Sequence, residues 1–398
     1  MDKKNKNPNV PNLRFREFNE QLVYTSFGHV MKLYRGSSPR PIINYVTTDK
    51  SGLNWIKIGD MPSTGNRVFF CKERINKEGS KKSRAVYKGD IILSNSMSFG
   101  KPYILEIDGF IHDGWFVIRD YQNYIDKTYL CQLLSSDVVQ KQYKSTAAGG
   151  VVKNISSDLV NSVKFHLPSI MEQRKIARFL ELIDQKIEVQ IKIIDDYMTY
   201  RNAIVDYFFE SLSSDWNRIK LSNILKEYSE LHVKDNSIVH ATLSKEGIFP
   251  KTDRYDRDFL VKDEDKKYKV THLNDICYNP ANLKFGVITR NTIGDCIISP
   301  IYVTFKIENG FLPKFVELLV TRKRFISRAR KYEQGTVYER MAVNSSDLLS
   351  MYVSIPSLNT QQTIVNIINN IDNKISNEKE LLKLYRAQKV YLLKNMFI

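Results

Sequence analysis

The sequence predicts an α+β chain in which two mixed α/β globular domains alternate with two long helices. Three observations predict it: a stretch that occurs twice without a gap, an unbroken helical periodicity in each copy, and short strand-like runs before each copy. Self-similarity at a fixed offset indicates internal duplication. We expect a flexible tail over residues 1–12, globular domains over 13–166 and 213–354, and helices over 167–212 and 355–398.

The repeated stretch opens on Leu167-Pro168-Ser169 and opens again on Ile355-Pro356-Ser357. A proline is well tolerated at the first turn of a helix, so each copy begins as a helix should. Identical residues stand at aligned positions throughout, among them Gln173/Gln361, Ile176/Ile364, Asp184/Asp372, Lys186/Lys374, Ile187/Ile375 and Tyr197/Tyr385. The chain therefore contains the same long element twice.

Apolar side chains recur in steps of four and three through both copies. A mean step of about 3.5 residues is typical of a coiled-coil seam rather than an ordinary amphipathic face. The predicted seam consists of Ile176, Leu180, Ile183, Ile187, Ile194 and Tyr197 in the first copy and of Ile364, Ile368, Ile371, Ile375, Leu382 and Tyr385 in the second. We expect the two seams to pair with each other; the alternative is that each helix packs in a separate core.

Polar residues interrupt both seams at aligned positions, Gln190/Glu378 and Arg201/Lys389. Polar seam residues lower the stability of a coiled coil but can fix its register. We therefore expect these positions to define how the two helices align.

The globular regions repeat only in the order of a few short motifs, and the rest of their sequences differs. Gly and Asp punctuate short runs that predict strands at 55–58, 68–71, 85–87, 90–93, 103–107 and 115–118, followed by a helix near Tyr129. In the second domain Leu273-Asn274-Asp275-Ile276 corresponds to Lys88-Gly89-Asp90-Ile91, and Gly286 corresponds to Gly100. A shared framework with two different surfaces is the interpretation we favour.

Membrane, export and metal functions find no support in the sequence. No apolar run approaches the roughly 20 residues of a membrane-spanning helix, and the polar start of the chain lacks the apolar core of a signal peptide. The cysteines Cys71, Cys131, Cys277 and Cys296 are too scattered for a zinc knuckle or a disulfide framework. We expect reduced thiols, no bound metal and a cytoplasmic protein.

Catalytic motifs are also missing. The sequence has no glycine-rich dinucleotide or phosphate loop, no zinc-protease His spacing and no nucleophile elbow. Asn279-Pro280-Ala281-Asn282 partly matches the Asn/Asp-Pro-Pro-Tyr/Phe motif of adenine methyltransferases, but the second Pro and the aromatic residue are absent. We interpret it as a turn and predict no catalytic residue.

The formal net charge of +16 lies mainly outside the helices and favours a polyanionic partner. Basic residues can neutralise phosphates, although a solvated surface is the plainer explanation. The candidate contacts are Arg67, Lys72, Arg74, Lys77, Lys81, Lys82 and Arg84 in the first domain and Lys251, Arg254, Arg257, Lys284, Arg322, Lys323, Arg324 and Arg328 in the second. Because Asn pairs with adenine in the major groove, Asn95, Asn279 and Asn282, with Ser96, are candidate base readers. No paired aromatic motif favours RNA, so double-stranded DNA is the predicted ligand.

Taken in order, these features resemble the specificity subunit of a type I restriction–modification enzyme. Leu167-Pro168-Ser169 followed by Glu172-Gln173-Arg174-Lys175-Ile176 is similar to the Pro-x-x-x-Glu-Gln-x-x-Ile motif of that family. Leu13-Arg14-Phe15 and Lys88-Gly89-Asp90-Ile91 also match. The second copy has Thr360 at the position of the Glu, which weakens the motif there.

The resemblance implies two target-recognition domains, each reading one half of a bipartite, gapped duplex-DNA target. The helices would pack antiparallel with pseudo-twofold symmetry, set the spacing of the half-sites and dock two modification subunits. Those subunits would use S-adenosylmethionine for adenine-N6 methylation, and two restriction subunits would use ATP and Mg for cleavage. This chain would be non-catalytic and bind no cofactor. The alternatives are a non-specific DNA-binding coiled-coil scaffold and a stand-alone DNA methyltransferase.

Overall fold

The computed structural model describes residues 9–62, 64–95, 100–147, 154–233, 237–251, 267–334 and 341–398. The chain divides into two compact units. Unit 1 comprises Met1–Ile194 with Glu378–Ile398, and unit 2 comprises Asp195–Asn377. Each unit therefore combines one globular domain with part of both long helices. None of the helices in the described ranges has the length and apolarity that a bilayer crossing requires.

Unit 1 is built from short strands and helices that lead into the first long helix. Its strands are β1 (Val23–Ser26), β2 (Lys32–Arg35), β3 (Val46–Thr47), β4 (Leu53–Ile56), β5 (Arg67–Val68), β6 (Glu73–Ile75), β7 (Arg84–Val86), β8 (Ile91–Ser94), β9 (Pro102–Leu105), β10 (Gly109–Ile111), β11 (Trp115–Arg119) and β12 (Lys164–Leu167). Its helices are α1 (Phe27–Val30), α2 (Lys77–Lys81), α3 (Lys127–Leu134), α4 (Asp137–Ala147), α5 (Ser157–Ser162) and α6 (Ile170–Ser211), which continues into unit 2.

Two five-stranded sheets form the core of unit 1, with strand orders β3-β6-β4-β10-β7 and β2-β11-β8-β9-β5. Successive side chains of a strand point to opposite faces. Ile92 and Val117 accordingly pack towards Ile56 of the other sheet, whereas Ile91 and Leu93 pack towards the helices. Strand β8 is buried on both faces, which is why its sequence is almost wholly apolar.

Unit 2 has strands β13 (Asn217–Lys220), β14 (Leu225–Tyr228), β15 (Leu231–Val233), β16 (Val239–Ser244), β17 (Gly247–Pro250), β18 (Lys267–Thr271), β19 (Ile276–Tyr278), β20 (Ile288–Arg290), β21 (Cys296–Ile298), β22 (Val303–Ile307) and β23 (Tyr352–Ile355). Its helices are α7 (Pro313–Thr321), α8 (Lys323–Ala329), α9 (Ser345–Ser350) and α10 (Leu358–Asn395), whose C-terminal part belongs to unit 1.

The sheets of unit 2 repeat the topology of unit 1. The order β14-β22-β19-β20 matches β2-β11-β8-β9, and β17-β16-β21-β18 matches β6-β4-β10-β7. In both units one pair of the second sheet is parallel, β4 with β10 and β16 with β21. The matched turns also agree, because Gly89 and Asn274 have φ values of 92° and 75°, and Gly100 and Gly286 have values of 67° and 85°. The predicted internal repeat is thus present in the domains as well as in the helices.

The predicted strands of the first domain differ from the observed ones in extent. Of the run predicted at 68–71 only Val68 lies in a strand, β5, and β4 begins two residues before the predicted 55–58. Strands β1, β2, β3, β6 and β10 were not expected. These strands have two to four residues each, too few for alternation to be visible in the sequence.

The long helices pack antiparallel in each unit. In unit 1 Gln190 donates a hydrogen bond to Glu378 Oε2 at 2.6 Å, and Lys389 forms an ion pair with Asp184. Residue numbers therefore rise along α6 as they fall along α10. In unit 2 Arg201 Nε donates to Asp372 Oδ1 at 2.5 Å.

The seam residues are all buried or half-buried, but they do not all face the partner helix alone. Ile176, Leu180 and Ile183 join the core of unit 1, and Ile364 and Ile368 join the core of unit 2. Ile187 and Ile371 pack against these cores, and the remaining seam residues are Ile194, Tyr197, Ile375, Leu382 and Tyr385. The far ends of the helices are core elements as well, because Val205 and Phe209 of α6 belong to the core of unit 2, and Leu392 and Met396 of α10 belong to that of unit 1. Each helix is thus a core element at both ends, and the coiled-coil interpretation applies to its middle.

A buried glutamine connects the start of α6 to the globular domain. Gln173 is 1% exposed and donates to the carbonyls of Tyr124 and Pro168, both at 3.0 Å. Its Oε1 accepts from the backbone N–H of Asp126 at 2.9 Å. Asp126 in turn caps α3 by accepting hydrogen bonds from the first backbone N–H groups of that helix. One amide therefore fixes α6 against α3.

The second copy uses its glutamine in the same way. Gln361 donates to the carbonyl of Pro356 at 3.2 Å and accepts from the N–H of Leu312 at 3.0 Å, the residue before α7. The neighbouring Glu172 has a different task, since it binds Arg14 through two hydrogen bonds of 2.8 and 2.7 Å. Thr360 cannot reproduce that pair, so only the glutamine role is repeated.

We expect Gln173→Met to lower the free energy of unfolding by about 2–4 kcal/mol, because three buried backbone groups lose a partner while the volume is kept. Urea denaturation followed by circular dichroism measures the change. Gln185→Met, at an exposed position of the same helix, is the control and should cost little. Equal costs for the two variants would show that the buried amide has no special role.

Candidate nucleic-acid interface

The arginines predicted to bind DNA in unit 1 are exposed but already contact the domain. Arg67 pairs with Glu106, and Arg74 donates to the carbonyl of Gly52 at 3.2 Å. Arg84 donates to the carbonyl of Arg35 at 3.1 Å and lies over the ring of Tyr34. These side chains fix loops as well as carrying charge.

The lysines beside them form fewer ion pairs and hydrogen bonds with the domain. Within the described ranges, Lys72 and Lys77 are exposed and form no ion pair. Lys81 pairs with Glu78 at 2.7 Å across open solvent, a geometry that contributes little. Lys82 donates to the hydroxyl of Tyr45 at 2.6 Å. The segment around β6 and α2 therefore presents its available charge mainly through Lys72 and Lys77.

Two exposed aromatic side chains adjoin this segment, and the sequence analysis missed them. Phe69 and Phe70 are 66% and 65% exposed and line a groove with Arg67, Lys72 and Met61. Aromatic faces beside cations suit nucleic acid. The adjacent Phe pair was the available signal, but nothing in the sequence indicated that both rings would be exposed.

A cavity of about 500 Å³ lies next to this groove and shares Gly59 with it. Arg40, Lys57, His112 and Asp113 line it. Burial lowers the pKa of His112, so its ring is neutral at pH 7. Because its Nδ1 accepts from the N–H of Gly114 at 2.9 Å, the proton lies on Nε2. The lining thus offers both donors and acceptors, as a base edge requires.

Of the candidate base readers in unit 1, Asn95 is 4% exposed and donates to the carbonyl of Asp113 at 2.8 Å. A contact between Asn95 and a base would require this loop to rearrange. Ser96 lies outside the described residues.

In unit 2 the connection between β17 and β18 corresponds to the β6–β7 connection of unit 1. Lys251 is described, and its Nζ lies 3.0 Å from His240 Nε2. Arg254 and Arg257 lie outside the described residues. In sequence, residues 251–266 contain five basic and six acidic residues, so this connection is not basic overall.

The turn predicted at Asn279 is confirmed. The Asn279 side chain accepts hydrogen bonds from the N–H groups of Ala281 and Asn282 at 3.1 and 3.3 Å, and so caps a 3-10 helix over Pro280–Phe285. Asn279 is 6% exposed. Asn282 and Lys284 point outwards and remain candidate contacts.

The basic run of α8 does not form a single exposed surface. The Arg322 guanidinium lies 3.9 Å from the ring centre of Phe209. Arg324 pairs with Glu210 at 2.8 Å, and Arg328 donates to a backbone carbonyl at 2.6 Å. Lys323 is exposed and, in the described part of the chain, has neither an ion pair nor a side-chain hydrogen bond, whereas the exposed Arg328 has its backbone contact. The cluster therefore lies against the end of α6, where sequence proximity alone had suggested one phosphate-binding face.

The described residues form no candidate metal centre, and two of the cysteines are protonated at neutral pH. No group of three or more His, Cys, Asp or Glu side chains there could hold a metal ion. Burial raises the pKa of Cys131 and of Cys277 to about 12, so both thiols stay protonated at neutral pH.

Solved structures resemble this fold over nearly its whole length. One chain, from work on complex assembly and conformational transition of the type I R-M system, has a TM-score of 0.62 at 13% identity, covering 94% of this chain and 98% of the other. The S subunit of a type I restriction–modification system from M. genitalium has a TM-score of 0.52 at 15% identity, covering 98% and 99%. At such low identity these matches show the fold alone.

A match to a protein-family model shows which family the chain belongs to. The model described as "Type I restriction modification DNA specificity domain" matches residues 28–195 and 265–384, which is well over half of the chain and falls once on each sheet-rich domain. Two matches to one model agree with the repeated topology. The chain belongs to the type I restriction–modification DNA specificity family.

Proposed function

We propose that this chain is the non-catalytic specificity subunit of a type I restriction–modification complex and that each unit reads one half of a bipartite, gapped duplex-DNA target. The observation that carries the proposal is the repeated sheet topology combined with different residues at matched positions. A sheet topology that occurs twice can contact duplex DNA at two places in the same way. Different loops on that topology suit two different half-sites.

In unit 1 the proposed reading surface comprises the Lys72–Lys77 segment, the groove of Phe69 and Phe70, and the cavity lined by Arg40 and His112. The lysines would contact phosphates, which position the protein without reading sequence. The cavity lining would supply the hydrogen bonds that discriminate bases. In unit 2 the exposed Asn282 and Lys284 are the corresponding candidates.

The paired helices would hold the two half-sites at a fixed separation and dock two modification subunits. In this proposal the modification subunits carry S-adenosylmethionine and perform adenine-N6 methylation, while two restriction subunits use ATP and Mg to cleave. Polar contacts that fix the register of α6 against α10 support a spacing role. The complex would act on DNA in the cytoplasm.

The decisive experiment is an adenine-methylation map of cells that express this chain with its modification subunit, compared with cells lacking only this chain. We expect a split, gapped motif that disappears with the chain, because each half would be read by a separate unit. An ungapped motif, or no dependence on the chain, would favour a stand-alone methyltransferase or a non-specific scaffold instead.

Replacing Lys72 and Lys77 together by Ala should lower the slope of log affinity against log salt concentration by up to about two, because each phosphate contact releases about one counterion. Fluorescence anisotropy with target duplex at several salt concentrations measures the slope. Lys141→Ala with Lys383→Ala removes the same charge at exposed positions of α4 and α10. If this control pair reduced the slope as much, the effect would be one of net charge.

Inserting one heptad after Ile194 and another after Leu382, which are aligned positions of the repeat, should lengthen the gap in the recognised motif. Seven helical residues add about 10.5 Å, or up to roughly three base pairs at ~3.4 Å per step. Methylation mapping of the folded variant measures the gap. An unchanged gap would contradict the spacing role of the helices.

A further inference from the structure

A cavity of about 360 Å³ lies in unit 2 where α8 packs against the end of α6 and against β23. Three guanidinium groups line it, those of Arg322, Arg324 and Arg328. Phe209 and Leu319 contribute apolar surface. We call this cavity the arginine pocket.

The arginines of the pocket retain unused hydrogen-bonding capacity. Arg322 stacks on Phe209, and its hydrogen bond to the carbonyl of Leu319 is long, at 3.5 Å. Burial lowers the pKa of Arg322 to about 10, which still leaves it charged at neutral pH. A guanidinium has five N–H donors, so the single bonds of Arg324 to Glu210 and of Arg328 to a carbonyl leave others available.

The shape of the pocket fits a protein acid better than the DNA backbone. Phosphates of a duplex follow a convex ridge, and proteins meet them with cations spread along the surface. Here three cations converge on one concavity that Phe209 and Leu319 also line. A carboxylate next to an apolar side chain would satisfy both the fork-shaped donors and the apolar lining.

The three arginines of the pocket have no basic counterpart at the matched positions of unit 1. In unit 2 Arg328 donates to the carbonyl of Tyr352, which opens β23. In unit 1 Gln142 of α4 donates at 2.8 Å to the carbonyl of Lys164, which opens the matching strand β12. Since both side chains donate to the first residue of matching strands, Gln142 corresponds to Arg328, and α4 is aligned with α8 on that basis.

The alignment places Ser136 and Val138 of unit 1 at the positions of Arg322 and Arg324. Ser136 is fully buried, and neither residue carries a charge. The frame is thus duplicated, but the positive charge of the pocket is not.

We propose that the arginine pocket binds an acidic, partly apolar segment of one modification subunit, so that the two copies of that subunit are held unequally. The inference rests on the proposed function, because it takes the two modification subunits from there. One copy would gain the pocket contact at unit 2, and the copy at unit 1 would lack it. Assembly would then pass through a defined complex with one modification subunit.

The test is native mass spectrometry of the full chain titrated with its modification subunit. Arg322→Met keeps the packing on Phe209 and removes the charge. Loss of a buried interface arginine typically weakens binding by about 10- to 100-fold. We expect the first binding step, at unit 2, to weaken by that factor while the second step keeps its affinity, so that the complex with one modification subunit no longer predominates at low subunit concentration. Lys331→Met, at an exposed lysine that follows α8 and lies outside the pocket lining, is the matched control and should leave both steps unchanged.

An unchanged first step, or an equal weakening of both steps, in Arg322→Met would overturn the inference. So would an equal effect of Lys331→Met, or a fall in the salt slope of DNA binding, which would assign the pocket to the DNA backbone. Glu210→Gln gives an independent reading with the opposite sign, since removing the repelling carboxylate should strengthen the first binding step several-fold. A weakened or unchanged step would contradict the proposal.

The proposed function and the assignment of the arginine pocket can be refuted separately. A wild-type chain that binds no modification subunit refutes the proposed function itself. A wild-type chain that binds two, and whose Arg322→Met variant also binds two with the same affinities, refutes only the assignment of the arginine pocket.

Discussion

One ion pair occurs twice in the coiled coil and fixes its alignment. Asp184 meets Lys389 in unit 1, and Arg201 meets Asp372 in unit 2. The repeat makes the two acids equivalent and the two bases equivalent, so each acid finds the base of the other copy. Even a fully exposed pair contributes about 0.2–1 kcal/mol, and these two pairs are part-buried. A slip of one heptad, however, would break both pairs and leave the buried Gln190 without Glu378, so the polar contacts select one register from several apolar ones.

The glutamine at the start of each helix carries that alignment into the domains. Gln173 and Gln361 bind the residue preceding α3 and α7, respectively, and both also bind the proline that precedes their own helix. A rigid connection matters for a protein proposed to measure a distance along DNA. If the domain could swing on its helix, a fixed helix length would not define a fixed gap between half-sites.

The two units share most of one sheet topology, but their surfaces have diverged. Sheet order, the parallel strand pair and the positive-φ turns agree between the units, whereas loop chemistry does not. Lys72 and Lys77 of unit 1 lie on an exposed segment near Phe69 and Phe70, whereas Arg322 and Arg324 of unit 2 contact Phe209 and Glu210. A cluster of basic residues in a sequence can therefore serve different partners, and the shape of the surface beneath it decides which one.

The sequence by itself determined the long helices, the seam and the repeat, because these depend on periodicity along the chain. Ile176, Leu180 and Ile183 reveal their face through spacing alone, and the Asn279 turn follows from local preference. Only the tertiary structure decided the rest. Asn95 proved to be buried, Arg322 proved to be stacked, and the cavity around Arg40 and His112 joins segments distant in sequence. Such features arise from contacts between residues far apart in the chain, and no local pattern records those contacts.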